Sequence, residues 1–322
     1  MVSKTRVSDP IKPVALLTGT TAAGKTSVAL DFCEIHRDVE IINADSLLIY
    51  REMNIGTAKP TPEEMMRTPH HLINIRNPDE NYTAGDFVCG VDAAIQDIHA
   101  RGKRALIVGG SGFYLKALLF GMWDSEKSDP KLREALEKIE TKTLFEQLLK
   151  IDEDFAWKVG PNDRYRVLRA VETYSLTGKK PSDYEAESKR DPIPGFSLFI
   201  IDRPSPELDQ RIRERCEQMI RAGLVDEVSA LNQKYPGARA LESIGYAETR
   251  AHLEHRLPSG RKIQAGLPGL VDEISLSTRQ LVKRQRTWLN GQFVKPHPSL
   301  SSLFVLDSDR SKLDQALKSV YS

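Results

Sequence analysis

An α/β fold, with a parallel sheet and a helical insertion, follows from three features of the chain. Short apolar runs alternate with segments of helical spacing, the pattern left by parallel strands joined through helices. The first apolar run, Val14-Ala15-Leu16-Leu17, leads directly into a glycine loop, Gly19-Thr20-Thr21-Ala22-Ala23-Gly24-Lys25-Thr26. Between residues 122 and 195 the chain turns charged and helical, with almost no strand signal.

Taken in order, the glycine loop is followed by a helical pattern over residues 27–33, so the unit reads strand, phosphate-binding loop, helix. Glu40-Ile41-Ile42-Asn43-Ala44 reads as a second strand ending at Asp45. Residues 87–100 have helical apolar spacing. Arg104-Ala105-Leu106-Ile107-Val108 reads as a buried strand that runs into Gly109-Gly110-Ser111-Gly112. In the charged stretch, Leu132, Leu136 and Ile139, then Leu144, Leu148 and Leu149, fit amphipathic helices. A loop rich in Pro, Ser and charge covers 178–195. Phe196-Ser197-Leu198-Phe199-Ile200-Ile201 then returns to the core as a strand. The chain from 205 onward is mostly helical until a last strand at Leu303-Phe304-Val305-Leu306. The expectation is a P-loop NTPase-like parallel sheet core over 1–121 and 196–322, with a helical insertion domain over 122–195. In such sheets ligands bind at the carboxyl ends of the strands, so Gly19, Asp45 and Ser111 should converge.

Composition narrows the function. The chain has 322 residues, enough for a sizeable core, and its 40% apolar and 28% charged residues are ordinary for a soluble globular protein. A net charge of +1 excludes a global attraction to nucleic acid, so any such contact must come from local patches. Cys33, Cys89 and Cys216 are far apart, make no metal pattern and fit reduced thiols in a cytosol. No signal peptide or membrane span is read, which points to a cytoplasmic protein.

The loop carries the clearest chemistry. Gly19 and Gly24 permit the tight turn that brings backbone N–H groups onto phosphate oxygens, and the following helix presents its positive end to the same anion. Lys25 adds a mobile charge and Thr26 a hydroxyl for Mg²⁺. Asp45, with Ser46, stands at a strand end beside the loop: it can hold Mg²⁺ or take a proton, or simply cap a helix. Gly109-Gly110-Ser111-Gly112 is a second anion site or a plain turn. Arg211 and Arg215 share a helix face, which suits phosphate or solvent equally. His70-His71 lacks the spacing of a metal pair and reads as structural. The tract from Arg279 to Trp288 mixes basic, amide and aromatic side chains, as a nucleic-acid surface would.

These motifs together resemble the bacterial tRNA dimethylallyltransferases, also called tRNA isopentenyltransferases. The matching segments include the glycine loop, Asn43 through Tyr50, Ile55-Gly56-Thr57-Ala58-Lys59-Pro60, His70-His71-Leu72 and Val108 through Tyr114. Further along come Pro161-Asn162-Asp163, Arg166 with Arg169-Ala170-Val171-Glu172, Thr177-Gly178, Arg215 with Met219, Glu227-Val228 and Ile244-Gly245-Tyr246. Last are Thr278-Arg279-Gln280 and Lys283-Arg284-Gln285 with Thr287-Trp288. The resemblance covers roughly residues 14–290. It implies transfer of a dimethylallyl group from dimethylallyl diphosphate to N6 of the adenine 3′ of the anticodon (position 37), in tRNAs reading codons that begin with U.

The resemblance also implies roles. Asp45 would be the general base. Gly19, Thr20, Thr21, Ala22, Ala23, Gly24, Lys25 and Thr26 would hold the diphosphate, and Thr26 and Asp45 the Mg²⁺. Ser111 and Arg215 would stabilise the leaving pyrophosphate. Asp45, Ser46, Leu47 and Leu48, with Ser111, would contact the target base region. Arg133, then Tyr165, Arg166, Val167, Leu168 and Arg169, then Gln280, Lys283, Arg284, Gln285, Arg286 and Thr287, would contact the anticodon stem-loop. No obligate protein partner is implied, which fits a monomer. The chain departs from the usual pattern at Thr20 (usually Pro), Ala23 (often Ser), Ser111 (usually Thr) and Gly160 (usually His). Three rivals share parts of the pattern: an ATP-dependent small-molecule kinase, an isopentenyltransferase acting on free adenylate, and a non-catalytic RNA-binding protein.

Overall fold

The structure is a computed structural model that describes residues 12–121, 128–187, 192–256, 266–297 and 300–321. Its first half runs β1 (Val14–Gly19), α1 (Lys25–Ile35), β2 (Val39–Asn43), α2 (Pro62–Arg67), β3 (His70–His71), α3 (Ala84–Ala100), β4 (Arg104–Val108) and α4 (Gly112–Phe120). Five helices follow: α5 (Pro130–Glu137), α6 (Thr141–Ile151), α7 (Glu153–Val159), α8 (Arg164–Thr177) and α9 (Pro181–Glu187). The chain then continues through β5 (Phe196–Asp202), α10 (Ser205–Arg221), α11 (Leu224–Lys234), α12 (Tyr246–Leu253), α13 (Leu267–Leu289), β6 (Ser301–Val305) and α14 (Leu306–Val320).

The six strands form one parallel sheet in the order β3-β2-β4-β1-β5-β6. Every residue of β1 and β2 is buried, as near-continuous apolar strands of a two-faced parallel sheet require. β1 lies between β4 and β5, so the strand order reverses there and a crevice opens at the carboxyl ends. On one side of the sheet α1 and α14 pack through Phe32, Leu313 and Leu317. A second core joins α10, α11, α12 and α13 through Leu208, Leu224, Tyr246 and Ile274.

The five-helix stretch belongs to a separate compact unit, Phe120–Pro192, with a core of its own around Leu144, Leu148, Val167 and Val171. Local chemistry starts and stops its helices. Asp129 caps α5 by accepting from Lys131 and Leu132 N–H, with Pro130 in the first turn. Asp163 caps α8, which ends at Gly178 in the left-handed conformation (φ 68°). Leu144 and Leu148 are fully buried, worth about 1.5–3 kcal/mol each.

Two details differ from the sequence expectation. Leu306 begins α14 instead of ending the last strand. His70 and His71 form the edge strand β3, too short to leave an apolar run. Both are structural, as expected: His70 Nδ1 donates to Thr68 O at 2.6 Å, and His71 Nε2 lies 2.8 Å from the buried Glu40 carboxylate. Arg101, then Lys103 and His71, hold the Glu40 carboxyl far below the usual range.

Candidate active site

Four strand ends supply the site. After β1 the loop turns through Gly24, whose φ of 99° favours glycine, into the first turn of α1. After β4 the chain passes so close to β2 that a Cβ at Gly109 would lie 2.1 Å from the Ala44 carbonyl carbon, so only glycine fits. After β2, Asp45 is fixed by its own strand: Asp45 N–H donates to Asn43 Oδ1 at 2.9 Å, and Asn43 Nδ2 donates to Asp45 O at 2.9 Å. One carboxylate oxygen of Asp45 accepts from Leu47 N–H at 2.9 Å. Asp202 ends β5 and Arg203 follows it.

Side chains from distant segments hold the loop. Arg203 Nε donates to Ala23 O at 2.9 Å and Arg211 Nε to Ala22 O at 3.0 Å. Thr21 N–H donates to Gln285 Oε1 at 2.9 Å. Lys25 Nζ folds back onto Gly19 O (3.0 Å) and Thr20 O (2.8 Å). Burial pushes its pKa down to about 8, and Arg215 adds to that while the Asp45 charge opposes it. Burial likewise lowers the Arg215 pKa, and Asp45 again opposes. The three groups therefore share one electrostatic neighbourhood. Arg215 Nη2 also donates to Thr57 O at 3.3 Å. Ser111 sits across from Asp45: its Oγ accepts from Ser46 N–H at 2.8 Å and lies 3.1 Å from Ser46 Oγ.

A cavity of about 580 Å³ lies among these groups. Thr21, Asp45, Ser111, Arg215 and Gln285 give it a polar side, and Ile212, Met219, Ile274, Leu281 and Trp288 an apolar one. Of the three groups expected to converge, Asp45 and Ser111 line the cavity, and Gly19 stands outside the lining with its carbonyl on Lys25 Nζ; Thr21 is the loop residue in the lining, and Ser46, Leu47, Arg215 and Arg284 also line the space. Thr26 is exposed on the first turn of α1. Leu48 is placed differently, its carbonyl accepting from Asn74 N–H at 3.2 Å.

The RNA-contact set divides. Gln280, Lys283, Arg284 and Thr287 are exposed on α13. Arg286 has its guanidinium on Asp202, with Nε at 2.8 Å from Oδ2 and Nη2 at 3.1 Å from Oδ1. In the helical unit, Tyr165 and Arg166 are exposed, while Arg133 and Arg169 turn to the buried Glu172 at 3.4 and 2.7 Å. Val167 and Leu168, between Arg166 and Arg169, have their side chains in the core of the helical unit. The period of α8 points both into the core, at 0% and 2% exposure.

Sequence reading missed other residues that build the site. Asp202 ends the strand next to β1 and Arg203 follows it, and the rule about strand ends at a reversal would have found them. Glu227 was matched in the resemblance but given no role there, and its neighbourhood carries no signal of one. Its carboxylate accepts from Asn54 (3.0 Å), Ile55 (2.8 Å) and Gly56 (3.1 Å) N–H and from the Tyr246 hydroxyl (2.6 Å), fixing the segment that brings Gly56 and Thr57 to the cavity.

Residues 48–292 match the family model described as IPP transferase. A protein of Trichlorobacter lovleyi named tRNA dimethylallyltransferase 1 is 42% identical over 290 residues, spanning 88% of this chain and 92% of its own. A Citrifermentans bemidjiense protein of the same name is 40% identical over 85% of this chain and 88% of its own. Among solved structures, a eukaryotic dimethylallyltransferase acting on tRNA superposes with a TM-score of 0.80 at 27% identity, covering 96% of this chain and 78% of that one. The tRNA isopentenylpyrophosphate transferase of Bacillus halodurans gives 0.66 at 28% identity, covering 96% and 97%.

Proposed function

Because the chain belongs to the IPP transferase family, we propose that it is a tRNA dimethylallyltransferase that uses the cavity at the strand ends as its active site. One observation carries the reading: a single cavity offers cationic and hydroxyl groups on one side and an apolar wall on the other. Such a lining suits a short branched hydrocarbon joined to a diphosphate. Its volume is that of a small-molecule pocket.

The chemistry then distributes over named residues. The bond from the allylic carbon to the diphosphate oxygen breaks, and its electron pair leaves on that oxygen. Lys25, Arg215, Ser111 and the loop N–H groups stabilise the charge where it develops. The N6 amine of adenine forms the new C–N bond, and its proton passes to Asp45. Ile212, Met219, Ile274 and Trp288 surround the allyl group and keep competing water away. Adenine must leave its stack to enter, as a base in a single-stranded loop can. The hydroxyl of Thr26 and the carboxylate of Asp45 are hard oxygen donors, and Mg²⁺ is commonly held by one or two such groups together with substrate phosphates. When bound, Mg²⁺ neutralises diphosphate charge. We further propose the anticodon stem-loop as partner, contacted by the basic Lys283 and Arg284 and the neutral polar Gln280 and Thr287, and a monomer in the cytoplasm as the working form. Among the described residues no helix is long and apolar enough to cross a membrane.

The test supplies labelled dimethylallyl diphosphate and Mg²⁺ with either an unmodified anticodon stem-loop or free AMP. Label on the RNA alone supports the proposal. Label on AMP alone selects the free-adenylate rival.

A further inference from the structure

We infer that Gln285 and Arg286 act as positioning residues of the diphosphate loop and not as contacts to the RNA phosphate backbone. The inference rests on the reading of that loop as the diphosphate site. Helical period divides α13 into two sides. Gln280, Lys283, Arg284 and Thr287 follow i, i+3, i+4, i+7 and are exposed. Leu281, Gln285 and Trp288, spaced i, i+4, i+7, line the cavity, and Arg284 stands at the boundary, exposed yet also lining it.

On that inner side Gln285 joins two loops. Its Oε1 accepts from Thr21 N–H at 2.9 Å, and its Nε2 donates to Gly110 O at 3.4 Å. The bridge needs an acceptor on one side and a donor on the other, which an amide supplies and a carboxylate or ammonium does not. It ties the phosphate loop to the glycine turn that carries Ser111.

Arg286 holds the same loop through a relay. Its fork grips Asp202, its Nη2 donates to Arg203 O at 2.5 Å, and its Nη1 donates to Ser205 Oγ at 2.7 Å. Asp202 Oδ1 accepts from Thr20 Oγ1 at 3.4 Å, and Arg203 Nε donates to Ala23 O. Thr20, Thr21 and Ala23 are thus all set by residues 285 and 286, directly or at one remove. An RNA phosphate would have to pull Arg286 from Asp202.

The test is calorimetric titration of inorganic pyrophosphate and, separately, of an anticodon stem-loop into the full-length protein and its Gln285→Met and Arg286→Lys variants. Methionine keeps the volume and removes both hydrogen bonds, while lysine keeps the charge and loses the fork. Each variant should bind pyrophosphate about 10-fold more weakly, as loss of a bridged pair of hydrogen bonds implies, with stem-loop affinity and its salt dependence unchanged. Unchanged pyrophosphate affinity with weakened RNA binding, and a salt slope smaller by about 1, would overturn the inference. If Gln285→Met does not fold, Arg286→Lys decides alone. A wild-type protein that binds pyrophosphate yet modifies no tRNA would count against the proposed function and leave the loop inference to the titration.

Discussion

Replacing Glu227 tests how the site is held. Both of its carboxylate oxygens are used: Oε2 accepts from Asn54 and Ile55 N–H, and Oε1 from Gly56 N–H and the Tyr246 hydroxyl. Alanine leaves all four donors without this partner. Tyr246 is fully buried, so its hydroxyl cannot turn to water. Hydrogen bonds to a charged group contribute about 1.5–3 kcal/mol, and an orphaned buried donor costs about 1–3 kcal/mol. With Asn54 exposed and Ile55 and Gly56 half-buried, Glu227→Ala should cost about 3–5 kcal/mol. Glutamine can replace only one oxygen, and its NH₂ would face backbone N–H on the other side, so Glu227→Gln should cost about 2 kcal/mol. Urea unfolding gives the totals, and amide exchange of residues 54–56 gives the local effect. A loss under about 1 kcal/mol for alanine, or full protection of those amides, would refute the reasoning. Activity should fall as well, because Thr57 O is the acceptor for Arg215.

Three further outcomes are expected. Asp45→Ala should lower transfer by about 10²–10⁴-fold with stem-loop affinity nearly intact, read by single-turnover kinetics and filter binding; unchanged turnover would remove Asp45 as the base. Lys25 has its pKa pushed down to about 8, so its charged form is present below that pH and lost above it. Pyrophosphate affinity should therefore weaken as pH rises through about 8, and Lys25→Arg should abolish that inflection; a flat wild-type profile would exclude Lys25 as the titrating group. Lys283→Ala with Arg284→Ala should weaken stem-loop binding and reduce the salt slope by about 1.5–2, since each lost phosphate contact releases fewer counterions. An unchanged slope would make that exposed face merely solvated.

Much of this was legible in the sequence because the physics is local. An apolar run followed by a glycine loop and a helical pattern is β1, the loop and α1, and Arg104 through Val108 is β4. Parallel strands put their carboxyl ends together, so Gly19, Asp45 and Ser111 could be assigned to one crevice without coordinates. Non-local partners were not legible. Glu227 reaches the 54–56 segment across the fold, and nothing in its neighbourhood announces an acceptor for three amides. Gln285 and Arg286 lie in a basic tract whose composition reads as RNA-binding, and only the helical period together with the position of Asp202 separates the inward residues from the outward ones. Val167 and Leu168 stand between arginines in sequence, yet their side chains belong to the core of the helical unit.

The most direct measurement is nucleoside mass spectrometry of unmodified tRNA after incubation with the protein, Mg²⁺ and dimethylallyl diphosphate. N6-(dimethylallyl)adenosine is expected at the position 3′ of the anticodon, formed by the wild type and lost in Asp45→Ala. An adduct absent from the wild-type reaction, or formed equally by both proteins, would contradict this.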